Sequence, residues 1–158
     1  MTHQLSDETR KRVMQSIRAK DTQPELLVRR LLWRLGARYR LHAKDLPGRP
    51  DIVMRSRRIA IQVHGCFWHL HEGCQLTRIP RSHPDYWPAK LQGNKKRDER
   101  NIAALQQLGW RVLVVWECET RAPEKLVESL RQFIGAPPPN SQLTPRGPAN
   151  VLKPHAGI

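Results

Sequence analysis

Pro50-Asp51-Ile52-Val53-Met54-Arg55-Ser56-Arg57-Arg58-Ile59-Ala60-Ile61-Gln62-Val63-His64 is the stretch on which the fold turns. Asp51 to Met54 reads as one strand, and Arg58 to His64 reads as a second, with Ile59, Ile61 and Val63 on one face. Arg55-Ser56-Arg57 is the turn between them. Two such strands form a hairpin, which brings Asp51 close to the end of the second strand.

Upstream, Pro24 to about Leu35 places Leu26, Leu27, Leu31, Leu32 and Leu35 at helical spacing, and Gly36 closes the helix. Thr22-x-x-Glu25 in front of it is a capping box, which accounts for Glu25 without any chemistry. Ser6 caps a short basic helix running to Lys20. Leu46-Pro47-Gly48 is a turn leading into Asp51. Downstream, Lys95 to Leu108 is helical and stops at Gly109. Trp110 to Trp116 is a buried strand, and Pro123 to Phe133 is the last helix. The order predicts an α/β domain with a mixed sheet flanked by helices. Residues 1–20 form an N-terminal arm, residues 21–135 the main domain, and residues 136–158 a Pro-rich, disordered tail.

Lys and Arg number 28 against 14 Asp and Glu, a formal charge of +14 spread over the whole chain. Such a balance attracts polyanions, nucleic acid foremost; the blander reading is a solubilising or ribosomal surface. No apolar run approaches the roughly 20 residues that cross a bilayer, and Met1-Thr2-His3-Gln4 has no apolar signal region. A bacterial cytoplasm or nucleoid fits best.

The three cysteines, Cys66, Cys74 and Cys118, are an odd count, which argues for metal or free thiols over a disulfide framework. Residues 65–93 show no long periodic segment, and a loop of that length is functional or held by a cofactor. Cys66, His71 and Cys74 with the distant Cys118 make a Cys3His set for a structural zinc; His69 could replace His71. Four protein ligands leave no open position for catalysis.

Pro50-Asp51, followed by a strand ending at Gln62-Val63-His64, is placed like the core of a metal-dependent nuclease. Gln62 and His64 stand where Glu and Lys are usual, and a lone Asp at a strand start is commonly only a turn residue. His64 and His69 could each act as a general base, bind phosphate, serve the zinc or merely pack. Phe67, Trp68 and Trp87 lie in or beside the loop, either as its local core or as wedges that enter a base stack. Trp33, Trp110 and Trp116 lie on regular elements and read as core. Met14 reads as surface or core.

Taken together, these blocks resemble the very short patch repair (Vsr-type) mismatch endonucleases of bacteria. The blocks are Met14-x-x-Ile17, Asp21-Thr22-x-x-Glu25, Leu46 to Asp51, His64-Gly65-Cys66-Phe67-Trp68-His69, Asn94 with Arg97-Asp98, and Leu108-Gly109-Trp110 through Trp116-Glu117-Cys118. The resemblance implies a restriction-endonuclease-like fold and nicking 5′ of the T in T:G mismatches left by deamination of 5-methylcytosine. It implies Asp51 as a Mg2+ ligand with the backbone carbonyl of Val63 as a second. Glu25, His64 and His69 would surround the metal's waters and the phosphate, with His69 the general base. Cys66, His71, Cys74 and Cys118 would bind Zn2+. Phe67, Trp68 and Trp87 would intercalate, and Met14 would enter from the opposite groove. The stretch His71-Glu72-Gly73-Cys74 is one residue longer than in some relatives. The implied partners are double-stranded DNA with a T:G mismatch, a mismatch-repair matchmaker protein and a repair DNA polymerase, acting on a monomer. Two alternatives stay open: a sequence-specific nicking enzyme for matched DNA, and a non-catalytic zinc-stabilised DNA-binding module.

Overall fold

The computed structural model describes residues 20–135, together with Glu8. The expected N-terminal helix, Met14 within it, and the Pro-rich tail lie outside the described residues.

Helix α1 spans Gln23–Arg34. Thr22 is its N-cap, and its hydroxyl accepts the Glu25 N–H at 3.4 Å. The reciprocal bond of the expected capping box is displaced by one residue: Glu25 Oε2 accepts the N–H of Asp21, at 2.9 Å, rather than that of Thr22. The helix ends at Gly36 in the left-handed region, φ 74°. The N–H groups of Gly36 and Ala37 close onto the carbonyls of Trp33 and Leu32, the pairing that satisfies a helix C-terminus.

Four strands follow: β1 (Arg40–Leu41), β2 (Ile52–Met54), β3 (Ile59–His64) and β4 (Arg111–Trp116). They lie in the order β1-β2-β3-β4. β1–β2 and β2–β3 are antiparallel, and β3–β4 is parallel. The expected hairpin is present, with Ile52 opposite Ile61 and Met54 opposite Ile59. Its turn is a single 3-10 turn, Arg55–Arg57, ended by Arg58 at φ 50°. The mixed sheet with flanking helices is a restriction-endonuclease-like α/β fold.

Every residue of β3 is buried. Ile59, Ile61 and Val63 join Val28, Leu31 and Leu32 of α1 and Leu126, Leu130 and Ile134 of α3 (Pro123–Ile134) in the main core. Ala60 faces the other way, into a smaller cluster with Ala43, Val53 and Leu105. Leu105 comes from α2, Tyr86–Gln107. This helix begins nine residues before the expected start at Lys95, so the irregular loop is shorter than the expected 65–93 and gives way to helix at Tyr86. Gly93 lies inside the helix, where a side chain would meet nothing within 4 Å. The outcome that matters for function is positional. Gln62 and His64 sit on the α2 side of β3, whereas Asp51 stands at the mouth of β2.

Candidate active site and metal centre

The turn before Asp51 depends on Gly48, which has φ 71° and lies so close to α2 that a Cβ would come within 2.8 Å of Asn101 Cβ. Asp51 then points across the hairpin. Its Oδ2 accepts the backbone N–H of Val63 at 2.8 Å. Burial pushes the Asp51 carboxyl up to about 6, against the pull of the Val63 N–H, His69 and Arg29. Burial, and then the charge of Asp51, also raises the carboxyl of Glu25. Glu25 and Asp51 are thus electrostatic neighbours. Among the described residues no lysine or arginine lies within ion-pair distance of Asp51, whose contact of this kind is His42 Nδ1 at 4.0 Å. A buried carboxylate without a cation is what a hard divalent ion such as Mg2+ relieves.

The two histidines lie against each other. The rings of His64 and His69 stack with centroids 3.8 Å apart and planes 8° from parallel. His64 Nε2 is 3.1 Å from Gln62 Oε1, so Gln62 occupies the usual acidic position as a hydrogen-bond partner for a histidine. Burial, with His69 beside it, lowers His64 to about 4, which keeps this ring neutral at physiological pH. His69 Nδ1 lies 2.5 Å from Asp98 Oδ2. Carboxylate contact at one ring nitrogen leaves the other, Nε2, as the basic site. A cavity of about 350 Å3 opens beside the pair, lined by His64, His69, His71, Lys95, Asp98 and Trp116.

Cys66, His71, Cys74 and Cys118 bring their ligand atoms within 4.8 Å of one another. His71 Nδ1 is 3.5 Å from both Cys66 Sγ and Cys118 Sγ. Tetrahedral zinc with bonds of about 2.3 Å to sulfur and 2.0 Å to nitrogen has ligand–ligand edges of roughly this length. The arrangement fits a closed zinc site and selects His71 over His69. The backbone of this loop passes through the left-handed region at Leu70 and Gly73. Thr77 fastens the loop from inside, its hydroxyl 2.7 Å from the His71 carbonyl and 3.1 Å from that of Cys66. Burial pushes the Cys66 thiol up to about 12, and a coordinating cation reverses that preference. The Cys118 N–H already donates to Cys66 Sγ at 3.4 Å.

Phe67, Trp68 and Trp87 form one aromatic group with ring centroids 5.0–6.2 Å apart. Trp87 stands in the first turn of α2, not in the loop, and is buried. Phe67 and Trp68 are half-buried. In the free protein, Trp87 is the local core on which the other two rest. Asn94 of α2 donates to the Trp68 carbonyl at 3.0 Å.

The family model described as DNA mismatch endonuclease Vsr matches residues 2–76. The DNA mismatch endonuclease Vsr of Escherichia coli is 40% identical over 144 residues, covering 88% of this chain and 92% of the relative. The chain belongs to the Vsr DNA mismatch endonuclease family. Two further relatives carry a different description. The type II nicking enzyme V.XorIIP of Xanthomonas oryzae pv. oryzae is 52% identical over 134 residues, 85% of this chain and 98% of the relative. The type II nicking enzyme V.NmeAIP of Neisseria meningitidis is 39% identical over 134 residues, 85% and 95% respectively. As a Vsr-family protein this chain is an endonuclease that acts on DNA. Among the described residues no helix is long and apolar enough to cross a membrane.

Three features of this Vsr-family site were not read as functional in the sequence. Asp98, quoted only as part of a motif, is the partner of His69. Trp116, expected as core, is half-buried and joins the two centres: it stacks on His71 at 4.1 Å and meets the edge of His64 at 5.3 Å. Arg29 and His42 surround Glu25 and carried no motif of their own. The signal for Asp98 was helical periodicity, since Asn94 and Asp98 are one turn apart on α2.

Proposed function

We propose that this endonuclease nicks one strand of duplex DNA 5′ of the T in a T:G mismatch, starting very short patch repair after deamination of 5-methylcytosine. The observation that carries the proposal is one juxtaposition. A cation-poor Asp51 carboxylate and a carboxylate-held His69 stand beside the group Phe67, Trp68 and Trp87. Chemistry and a means of opening a base stack are then side by side.

Asp51 and the Val63 carbonyl would hold Mg2+, with Glu25 beside its waters, and the ion would offset charge on the phosphoryl oxygens. His69 takes a proton at Nε2 while Asp98 holds Nδ1 and stabilises the charged ring. His64, neutral and bonded to Gln62, supports His69 by stacking and is the weaker candidate for the base. Phe67 and Trp68, with Trp87 behind them, part the stack where a wobble pair already weakens it. Cys66, His71, Cys74 and Cys118 would hold a zinc that orders the loop carrying Phe67 and Trp68. Met14 on the arm enters from the other groove. The protein works as a monomer in the bacterial cytoplasm and hands the nick to a repair polymerase, with a matchmaker protein upstream.

A second reading is nicking at a specific sequence of matched DNA, which the descriptions of V.XorIIP and V.NmeAIP favour. Incubation with T:G, matched and RNA duplexes, each with Mg2+ or with a chelator, separates the two. The proposal expects cutting of T:G duplex in Mg2+ only. Asp51→Ala should bind that duplex without cutting it, and cleavage by this variant at the wild-type rate would overturn the site.

A further inference from the structure

Behind Glu25 lies a cluster that the proposed mechanism does not use. Arg29 is 2% exposed, and a single nitrogen of its guanidinium, Nη2, reaches three partners. These are Asp21 Oδ1 at 2.7 Å, Glu25 Oε2 at 3.0 Å and His42 Nε2 at 3.1 Å. Arg29 Nε is buried with no partner among the described residues, so the group is turned to serve this cluster. The Tyr39 hydroxyl donates to the Arg29 carbonyl at 3.2 Å and holds the base of the side chain.

A guanidinium only donates. His42 Nε2 also lies 3.5 Å from Asp21 Oδ1 and 3.9 Å from Glu25 Oε2, but its shortest contact is with Arg29, and toward that donor it presents a lone pair when the ring proton is on Nδ1. That nitrogen lies 4.0 Å from Asp51 Oδ1. His42 is also fixed through its main chain, because its N–H donates to the Asp51 carbonyl at 3.0 Å. Its backbone adopts φ 49°, a left-handed conformation uncommon outside glycine and one that collects at functional sites.

We propose that His42, held in its Nδ1–H form by Arg29, is a positioning residue of the Asp51 centre, turning an N–H edge toward the carboxylate while the same arginine orients Glu25. The proposal rests on the nicking function for its kinetic test alone. Arg29 acts on Asp51 through His42 and touches no reacting atom.

The test has a spectroscopic and a kinetic arm. 15N NMR of the full chain labelled on histidine should show His42 with a protonated Nδ1 and a bare Nε2, and Arg29→Met should abolish that preference. In nicking of T:G duplex, Arg29→Met and His42→Asn should each lower kcat at least tenfold with KM for DNA within about twofold. Asn accepts the left-handed backbone, so His42→Asn keeps the fold even if Arg29→Met does not. The double variant should lose no more than the worse single one, because both remove one linkage. Arg29→Lys, which keeps the charge but not the reach, should fall between. A wild-type His42 protonated at Nε2, a His42→Asn variant with unchanged kcat, or losses that multiply would each overturn the proposal. Should the wild-type cut none of the duplexes, the nicking function fails while the tautomer still decides the link between Arg29 and His42.

Discussion

The Asp51 carboxylate accepts the backbone N–H of Val63 across twelve residues, at 2.8 Å. The bond sets the acid against the last turn of pleat in β3, next to the carbonyl proposed as its co-ligand. Val63 is in turn paired with Val115 in the parallel half of the sheet. The direction in which Asp51 points therefore depends on sheet register, and a slip by one residue would send the Val63 side chain to the opposite face.

Burial of Asp51 makes metal-free stability pH-dependent with a definite sign. Its carboxyl is raised to about 6, so between roughly pH 4 and 6 the native state binds more protons than the unfolded chain. Stability is thus highest below that window and is lost as pH rises through it. A shift of about two units corresponds to about 3 kcal/mol at pH 8 and roughly half of that at pH 5. Asn keeps an acceptor for the Val63 N–H but carries no charge. With zinc present and Mg2+ absent, Asp51→Asn should melt above wild-type, by a margin that widens from pH 5 to pH 8. Added Mg2+ should narrow the gap at pH 8. Calorimetry showing a constant or reversed gap would contradict the assignment.

Asp98 orients His69 and steadies the charged ring, so Asp98→Asn should leave DNA binding intact and slow the chemical step. General-base catalysis contributes about 10² to 10⁴-fold, and a loss of at least 10²-fold in single-turnover nicking is expected. His64→Ala should lose less than His69→Ala, because His64 is held neutral by burial. Equal losses would reverse the assignment of the base.

Local pattern carried the hairpin, α1 and its caps, and the zinc set, since each follows from alternation, helical spacing or ligand chemistry within a short window. The misses share a physical cause. The early start of α2 at Tyr86 runs through Pro88, Gly93 and few apolar residues, and only packing of Trp87, Leu91 and Leu105 against the body supports it. Propensity alone cannot report such tertiary support. The partner of His69 lies 29 residues away on that helix. The Arg29–His42 contact spans 13 residues across the α1–β1 corner. Periodicity along α2 places Asp98 on one face with Asn94, but it does not say which residue of another element that face meets.

Gly48 offers a test of the approach to Asp51. Alanine there meets Asn101 Cβ at 2.8 Å and inherits a φ of 71°. The left-handed backbone costs about 1–2 kcal/mol, and overpacking against a helix adds about 1–3 kcal/mol. Gly48→Ala should destabilise by at least about 2 kcal/mol in chemical denaturation and should reduce nicking as the Pro50-Asp51 segment shifts. Gly93→Ala is the contrasting control: it adds a better helix former in open space and should stabilise by about 0.5–1 kcal/mol. Similar destabilisation by both substitutions would refute the close approach at Gly48.

Cys118 joins the zinc loop to the sheet, because it follows β4 directly while Cys66, His71 and Cys74 all belong to the loop. A structural zinc of this kind adds about 10 kcal/mol or more of apparent folding free energy, as much as the whole stability of a small domain. Cys118→Ser should therefore lower bound zinc from one equivalent toward zero, measured by elemental analysis, and lower the melting temperature steeply. Exposure of Trp68 and Trp87, read by fluorescence, should accompany the loss, since both rings pack on the segment that the metal holds. A strong zinc chelator should reproduce the effect in wild-type protein, and magnesium should not reverse it. Retention of one zinc per chain and of the wild-type melting temperature in Cys118→Ser would show that the loop is closed without β4.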